Sequence, residues 1–274
     1  MIVRLCVLLL SLAASAAHAD PVPLENADFE ALYPGSNLPP EYGGDVPTGS
    51  FPTGPPPTGW TAWYENGSPQ GGMFIGVLNP GTTADHAPDP PCFPDGAPEG
   101  ENAVLLYMSG DAGGDEYGVE QDTAESLAPD TLYTLTAEVG NIASCAGLVA
   151  PYQSFFDLDG FPGYRVQLLA GGVVLAEDAG ALSPGEGVFE PTVVVFQTDA
   201  EPDLEGETLS VRLVNRNQPD EPGVSGLEVD FDAVSLEATP VAEAPALSAW
   251  PRVALVLGLA GLAGLVIRVT QRTG

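Results

Sequence analysis

Leu227-Glu228-Val229-Asp230-Phe231-Asp232-Ala233-Val234-Ser235-Leu236 is the stretch from which the fold can be read. Its apolar residues fall on odd positions at Leu227, Val229 and Phe231, then on even positions at Val234 and Leu236. A period of two is the mark of a strand with one buried face. The change of parity implies one extra residue near Asp232 or Ala233, a β-bulge. Such a bulge can turn Asp232 towards a site and free a backbone carbonyl.

The same period recurs upstream. Tyr133, Leu135, Ala137 and Val139 face one way, while Thr134, Thr136 and Glu138 face the other. Leu209, Val211 and Leu213 alternate with Ser210 and Arg212. Further strands are expected at 58–65, 73–79, 103–108, 117–122, 164–169, 173–177 and 188–198. Ala170-Gly171-Gly172 supplies a hairpin turn between two of them. Gly and Pro punctuate the rest, and no amphipathic helix stands out. These features predict an all-β domain of two packed sheets over residues 20–238. Two long Pro/Gly-rich loops, 33–59 and 80–101, are candidate binding surfaces.

The ends have a different character. Residues 1–19 pair Arg4 with an apolar run and a terminal Ala17-His18-Ala19, as an export signal cleaved before Asp20 does. Residues 239–249 form a linker that leads to a C-terminal apolar segment at 250–274. Its uninterrupted run, Val253 to Ile267, is flanked by Arg252 and Arg268 and falls short of the ~20 residues a spanning helix uses. Pro245, Leu247, Ser248 and Trp250, followed by that run and Arg268 and Arg272, resemble the PEP-CTERM sorting tail in its Pro-Thr-Leu-Ser-x-Trp variant. Alanine replaces the threonine and Pro251 replaces a common glycine. The resemblance implies an exported protein, held by the membrane through residues 250–268 at least transiently. Sorting machinery would act on the tail, and the acidic domain would lie outside. Cys92 and Cys145 remain after removal of the leader. In an oxidising space they are expected to pair, the alternative being two buried thiols.

The chain carries 38 acids against 7 bases, a formal net charge of −31, and the bases are all arginine. Between Asp20 and Glu243 only Arg165, Arg212 and Arg216 are basic. Nucleic acid is thereby excluded as a partner, since phosphate contacts need a basic surface. With His86 as the one histidine beyond the leader, a multi-histidine zinc site or a Ser-His-Asp triad is hard to build.

Two end motifs and their intermediates carry a family resemblance. The domain opens with Asn26-Ala27-Asp28-Phe29-Glu30 and closes with Asp230-Phe231-Asp232-Ala233-Val234-Ser235-Leu236. This resembles galactose-binding-like jelly rolls, a group rich in carbohydrate-binding modules. Pro57-Thr58-Gly59-Trp60, Pro98-Glu99-Gly100-Glu101-Asn102, Leu132-Tyr133-Thr134-Leu135 and Tyr164-Arg165-Val166-Gln167-Leu168 follow in an order similar to one branch. That branch is the exported bacterial relatives of the calcium-dependent cyclases of hapalindole-type (Stig) pathways.

First and last strands of a jelly roll lie side by side, which would bring Glu30 and Asp232 together. Two adjacent carboxylates call for a cation between them. An oxygen-only donor set suits calcium. The resemblance implies Glu30 and Asp232 as side-chain ligands of a structural Ca2+, with Asn26, Glu101 and Asn102 as lesser candidates. The alternative is two solvated carboxylates on an acidic surface. Asp157-Leu158-Asp159-Gly160 lacks the closing glutamate of an EF-hand and reads as a turn.

Of the clustered aromatics, Trp60 is expected in the core. Trp63 and Tyr64 are candidates for ligand stacking. Tyr42, Tyr107, Tyr152, Phe155 and Phe156 are further candidates around a cleft. Three functions are compatible with this reading. The first is a surface-sorted calcium-binding module for a glycan or extracellular matrix component, marked by a flat aromatic strip on an open sheet. The second is a cyclase-like lyase or isomerase, marked by a buried carboxylic acid facing an aromatic pocket. The third is a non-catalytic matrix protein, marked by neither. The sorting tail places the first ahead of the second.

Overall fold

The computed structural model describes residues 18–31, 46–111, 114–150, 153–218 and 225–241. The chain divides into Met1–Pro240 and Val241–Gly274, and only Val241 of the second unit is described. The export signal, the sorting tail, Tyr42 and Tyr152 lie outside the described residues, save His18 and Ala19. Among the described residues no helix is long and apolar enough to cross a membrane.

The strands are β1 (Asp20–Val22), β2 (Thr61–Tyr64), β3 (Met73–Leu78), β4 (Ala103–Asp111), β5 (Tyr117–Ser126), β6 (Thr131–Asn141) and β7 (Cys145–Ala146). They continue with β8 (Phe155–Phe156), β9 (Tyr164–Ala170), β10 (Val173–Asp178), β11 (Val188–Gln197), β12 (Thr208–Asn215) and β13 (Ser225–Pro240). One short helix, α1 (Thr83–His86), lies in the 80–101 loop. The first sheet has the order β11-β6-β13-β4-β3, with β1 alongside β13. The second has the order β10-β9-β12-β5-β2, and β7 and β8 form a small separate ribbon. This is a jelly-roll β-sandwich.

Alternation along the strands decides which residues fill the space between the sheets. Val104, Leu106, Leu135, Val139, Val229 and Phe231 of the first sheet meet Val119, Val166, Leu168, Val211 and Leu213 of the second. The parity change in β13 is a bulge: Asp232 pairs with Glu138, but Ser235 pairs with Thr136. Ala233 takes the extra place with φ 49°, in the left-handed region. The bulge keeps Val234 and Leu236 in the core while Glu228, Asp230 and Asp232 all face away from it.

That outer face carries a second, smaller core. Leu78, Cys92, Phe93, Leu105, Ile142, Cys145 and Leu158 cluster there beneath the 80–101 loop and the β7–β8 ribbon. Cys92 and Cys145 are joined by a disulfide, and Cys145 lies opposite Phe156 across the ribbon. The bridge spans 53 residues of chain. A loop of that size implies on the order of 4 kcal/mol of stabilisation through the unfolded state. Reduction is therefore expected to lower the unfolding midpoint by about 10 °C. Thermal unfolding with and without a phosphine reductant measures this, and a fall of less than ~2 °C would contradict it.

Candidate active site

Register on the first sheet lays the outward side chains in rows. Glu228 of β13 sits beside Tyr107 of β4, which sits beside Phe74 of β3. In the next row Asp230 lies between Leu105 and Gly140. The third row pairs Asp232 with Glu138. Side chains in neighbouring rows of one strand face the same way. Three acids thus line up along one strand under the loops.

The residues beyond β3 close the edge. Segment 49–54 runs beside β3 through hydrogen bonds from Gly54 N–H to Ile75 O (2.9 Å) and Val77 N–H to Pro52 O (3.2 Å). Glycine at position 76 permits this approach, because a Cβ there would lie 2.4 Å from Pro52 O. The segment brings Phe51 and Thr53 over the sheet. Together with Phe74, Tyr107, Leu105, Ile142, Phe156 and Leu158 they enclose a cavity of about 190 Å³ against Glu228. Phe74 and Tyr107 stack with ring centroids 5.9 Å apart, and Phe51 meets Phe156 edge-on at 4.6 Å. The lining is apolar and aromatic, with Glu228 as its charged group. The cavity is smaller than the ~300–1,000 Å³ of clefts for drug-sized ligands.

Glu228 is 4% exposed and Asp230 is fully buried. Burial pushes the Glu228 carboxyl up to about 7. Burial, and then the charge of Glu228, push Asp230 well above the usual carboxylate range. Among the described residues no donor reaches Glu228 Oε1, Asp230 Oδ1 or Asp230 Oδ2. Ionised carboxyls only accept, and burial favours the protonated, donating form of both. This is a Brønsted acid opening onto an aromatic cavity.

At the far end of the row, Glu30 and Asp232 are tied to the same loop. Glu30 Oε1 accepts the backbone N–H groups of Glu101 (2.7 Å) and Asn102 (2.8 Å), and its Oε2 accepts Asn102 Nδ2 (2.7 Å). Asp232 Oδ2 accepts Glu99 N–H (2.8 Å), and Oδ1 accepts Ala233 N–H (2.7 Å). Burial raises the Asp232 carboxyl to about 8 against those two donors, with the charges of Glu99 and Glu30 adding to the rise. Asn102 Oδ1 is buried without a donor. The buried Asp232 carboxylate, the half-buried Glu30 carboxylate and the unpaired Asn102 amide oxygen are hard oxygen donors of the kind that fit a cation such as calcium. Among the described residues no three His, Cys, Asp or Glu side chains converge on one point, so amide and backbone oxygens would have to complete the shell.

The other sequence candidates are placed elsewhere. Asn26 caps its own turn: its Nδ2 donates to Ala31 O and Thr58 O (both 3.1 Å), and its Oδ1 accepts Ala31 N–H (2.6 Å). Glu101 gives its backbone N–H to Glu30 while its side chain is exposed. Trp60 is core, donating its indole N–H to Asn26 O (3.1 Å). Tyr64 packs against the core between the sheets. Trp63 lies under the Arg212 guanidinium at 4.4 Å, on the second sheet. Neither Trp63 nor Tyr64 is among the residues that line the cavity. Of the remaining aromatics, Tyr107 and Phe156 line the cavity and Phe155 points out, 63% exposed. Asp159 is held in a turn by Ser144 Oγ (2.5 Å). Phe51, Phe74 and Glu228 are the site residues that sequence reasoning missed. The signal for Glu228 was the outward parity it shares with Asp232.

The family model for HpiC1 cyclase matches residues 20–237. A Stig cyclase, Fisc, from Fischerella sp. TAU in complex with (3Z)-3-(1-methyl-2-pyrrolidinylidene)-3H-indole is 33% identical. It superposes with a TM-score of 0.63 over 82% of this chain and 100% of its own. A cyclase from the same organism in complex with 4-(1H-indol-3-yl)butan-2-one is likewise 33% identical, with a TM-score of 0.62 and the same coverage. An apo cyclase from Fischerella sp. is 31% identical, with a TM-score of 0.62 over 82% of this chain and 98% of its own. No curated protein matches. Matched along the whole sandwich and a third identical to solved cyclases across their full length, the chain belongs to the HpiC1 cyclase family.

Proposed function

We propose that the domain is a cyclase-type enzyme that isomerises a flat, apolar aromatic molecule by proton transfer from the Glu228–Asp230 pair. The observation that carries this reading is the buried carboxyl pair opening onto an aromatic-walled cavity. It is the arrangement that separates the enzyme reading from the glycan-binding one, which sequence reasoning had ranked first. Glu228 gives its proton to a carbon of a substrate π bond. The cation so formed lies between ring faces, whose quadrupoles favour positive charge. An internal π bond attacks it, closing a ring, and a proton returns to the carboxylate. Substrate and product then share one formula, and the acid is regenerated.

Glu30, Asp232 and Asn102 would hold a calcium ion at the end of the acid row. When bound, the ion supplies fixed positive charge that ties loop 99–102 to β13. The address we propose is the cell envelope, with residues 1–19 as export signal and residues 250–274 as sorting tail.

The test is turnover. The protein is incubated with indoles bearing an unsaturated side chain at carbon 3. The expected result is a product of unchanged mass and altered retention, its formation slowed by 4-(1H-indol-3-yl)butan-2-one. Absence of both conversion and binding of that indole would overturn the proposal.

A further inference from the structure

The cavity does not belong to the main core. Of the residues that line it, Leu105, Ile142 and Leu158 are members of the small outer core, and Phe51, Tyr107 and Phe156 pack against that core. None of the lining residues is among the buried side chains between the two sheets. The pocket therefore depends on a unit that can open without the sandwich opening.

One covalent bond runs through that unit. Cys92 and Cys145 lie within it, both fully buried. Cys92 comes from the 80–101 loop, which Phe93 fixes to the first sheet by stacking on Phe189 of β11 at 4.3 Å. Cys145 comes from the β7–β8 ribbon, an excursion of the chain between β6 and β9 that joins neither sheet. Two strands of two residues cannot hold themselves, since even a full isolated hairpin is marginal in water. The disulfide fastens the ribbon to the loop, beside hydrogen bonds from Ala143 N–H to Cys92 O (3.1 Å) and from Ala146 N–H to Pro90 O (3.3 Å). From there the hold passes to the walls. Cys145 pairs with Phe156. Leu148 N–H donates to Gly49 O (2.9 Å), and a Cβ at Gly49 would lie 2.5 Å from Leu148 Cγ. Segment 49–54 starts at that contact and carries Phe51, the ring that meets Phe156 edge-on.

Resting on the reading of this cavity as the substrate pocket, we infer that Cys92 and Cys145 are positioning residues of the pocket, acting through Phe156, Leu158 and Phe51. Without the bond the sandwich keeps its strands, while these three side chains lose their fixed places and the space over Glu228 opens to water. The sulfurs touch no substrate; their effect is on affinity, through the walls they hold.

The test compares three proteins at a temperature where all are folded: the unaltered chain, the double variant Cys92→Ala/Cys145→Ala, and Val211→Ala, which weakens the main core instead. Isothermal titration with 4-(1H-indol-3-yl)butan-2-one reads the pocket, and amide hydrogen exchange reads the two cores separately. The double variant is expected to bind at least ~10-fold more weakly, equivalent to about 1.4 kcal/mol. Its amides at Ala143, Ala146 and Leu148 should lose protection while those at Leu168 and Leu213 keep theirs. Val211→Ala should bind as the unaltered chain does. Equal affinity in the double variant would make the bond a general stabiliser and overturn the inference. Opening of Leu168 and Leu213 together with Ala146, or an equal loss of affinity in Val211→Ala, would overturn it too. If the unaltered chain binds no indole, the pocket reading itself falls and takes the inference with it.

Discussion

Glu228→Gln is expected to abolish turnover and leave the sandwich folded. The amide has the volume of the acid, so the cavity keeps its shape. Its NH2 can donate to Asp230, whose oxygens have no donor among the described residues. The loss is thus confined to the proton. A positioned general acid contributes ~10²- to 10⁴-fold, and the rate should fall by that factor. The pH dependence follows from the same group. The Glu228 carboxyl titrates near about 7 in the folded protein, against an ordinary 4.5. Its acid form dominates below that value, so turnover should decline as pH rises through 7. Stability carries the same sign: the folded state holds the proton more tightly, so folding weakens as pH climbs from about 4.5 to about 7. In Glu228→Gln that slope should flatten. A pH–rate profile and urea unfolding at several pH values check both. An active Gln variant, or a rate that rises through neutral pH, would remove Glu228 from the mechanism.

Calcium is expected to give the second large effect. At ~100 times its dissociation constant, a ligand specific to the folded state adds about 2.7 kcal/mol. For a domain of this size that is a rise of ~5–10 °C in the unfolding midpoint. Magnesium should do less, because it demands small octahedral geometry and keeps its water. Glu30→Ala and Asp232→Ala should each erase the calcium response, as both carboxylates accept from the backbone of loop 99–102. Scanning calorimetry with calcium, magnesium and chelator measures this. An equal response to both ions, or none, would make these acids a hydrogen-bonded clasp without a metal.

Much of the fold was legible because it rests on local period. Tyr133 to Val139 and Leu209 to Leu213 alternate plainly, and the strands lie where that alternation runs. The bulge at Ala233 was legible for the same reason, as a break in count. The site was less so. Phe51 comes from a Pro/Gly-rich segment with no period, and only its pairing with β3 carries it over the cavity. Trp63 meets Arg212, distant in sequence, a contact no local pattern announces. Glu228 carried a signal that was half read: its parity pointed outward, which on an isolated sheet means solvent. It is buried because Phe51 and Thr53 of segment 49–54, with Phe156 and Leu158, close over it, and such a roof is a long-range fact.

The odd residue count at Ala233 makes this part of the gene intolerant of small deletions. Removing one residue there would force a choice between two halves of a single strand. Either Val234 and Leu236 turn out to solvent, or Glu228, Asp230 and Asp232 turn in between the sheets. No compromise register exists, because side chains alternate strictly in pairs. Length variation among descendants of this chain should therefore collect in the Pro/Gly-rich loops, while the spacing from Glu228 to Leu236 stays constant.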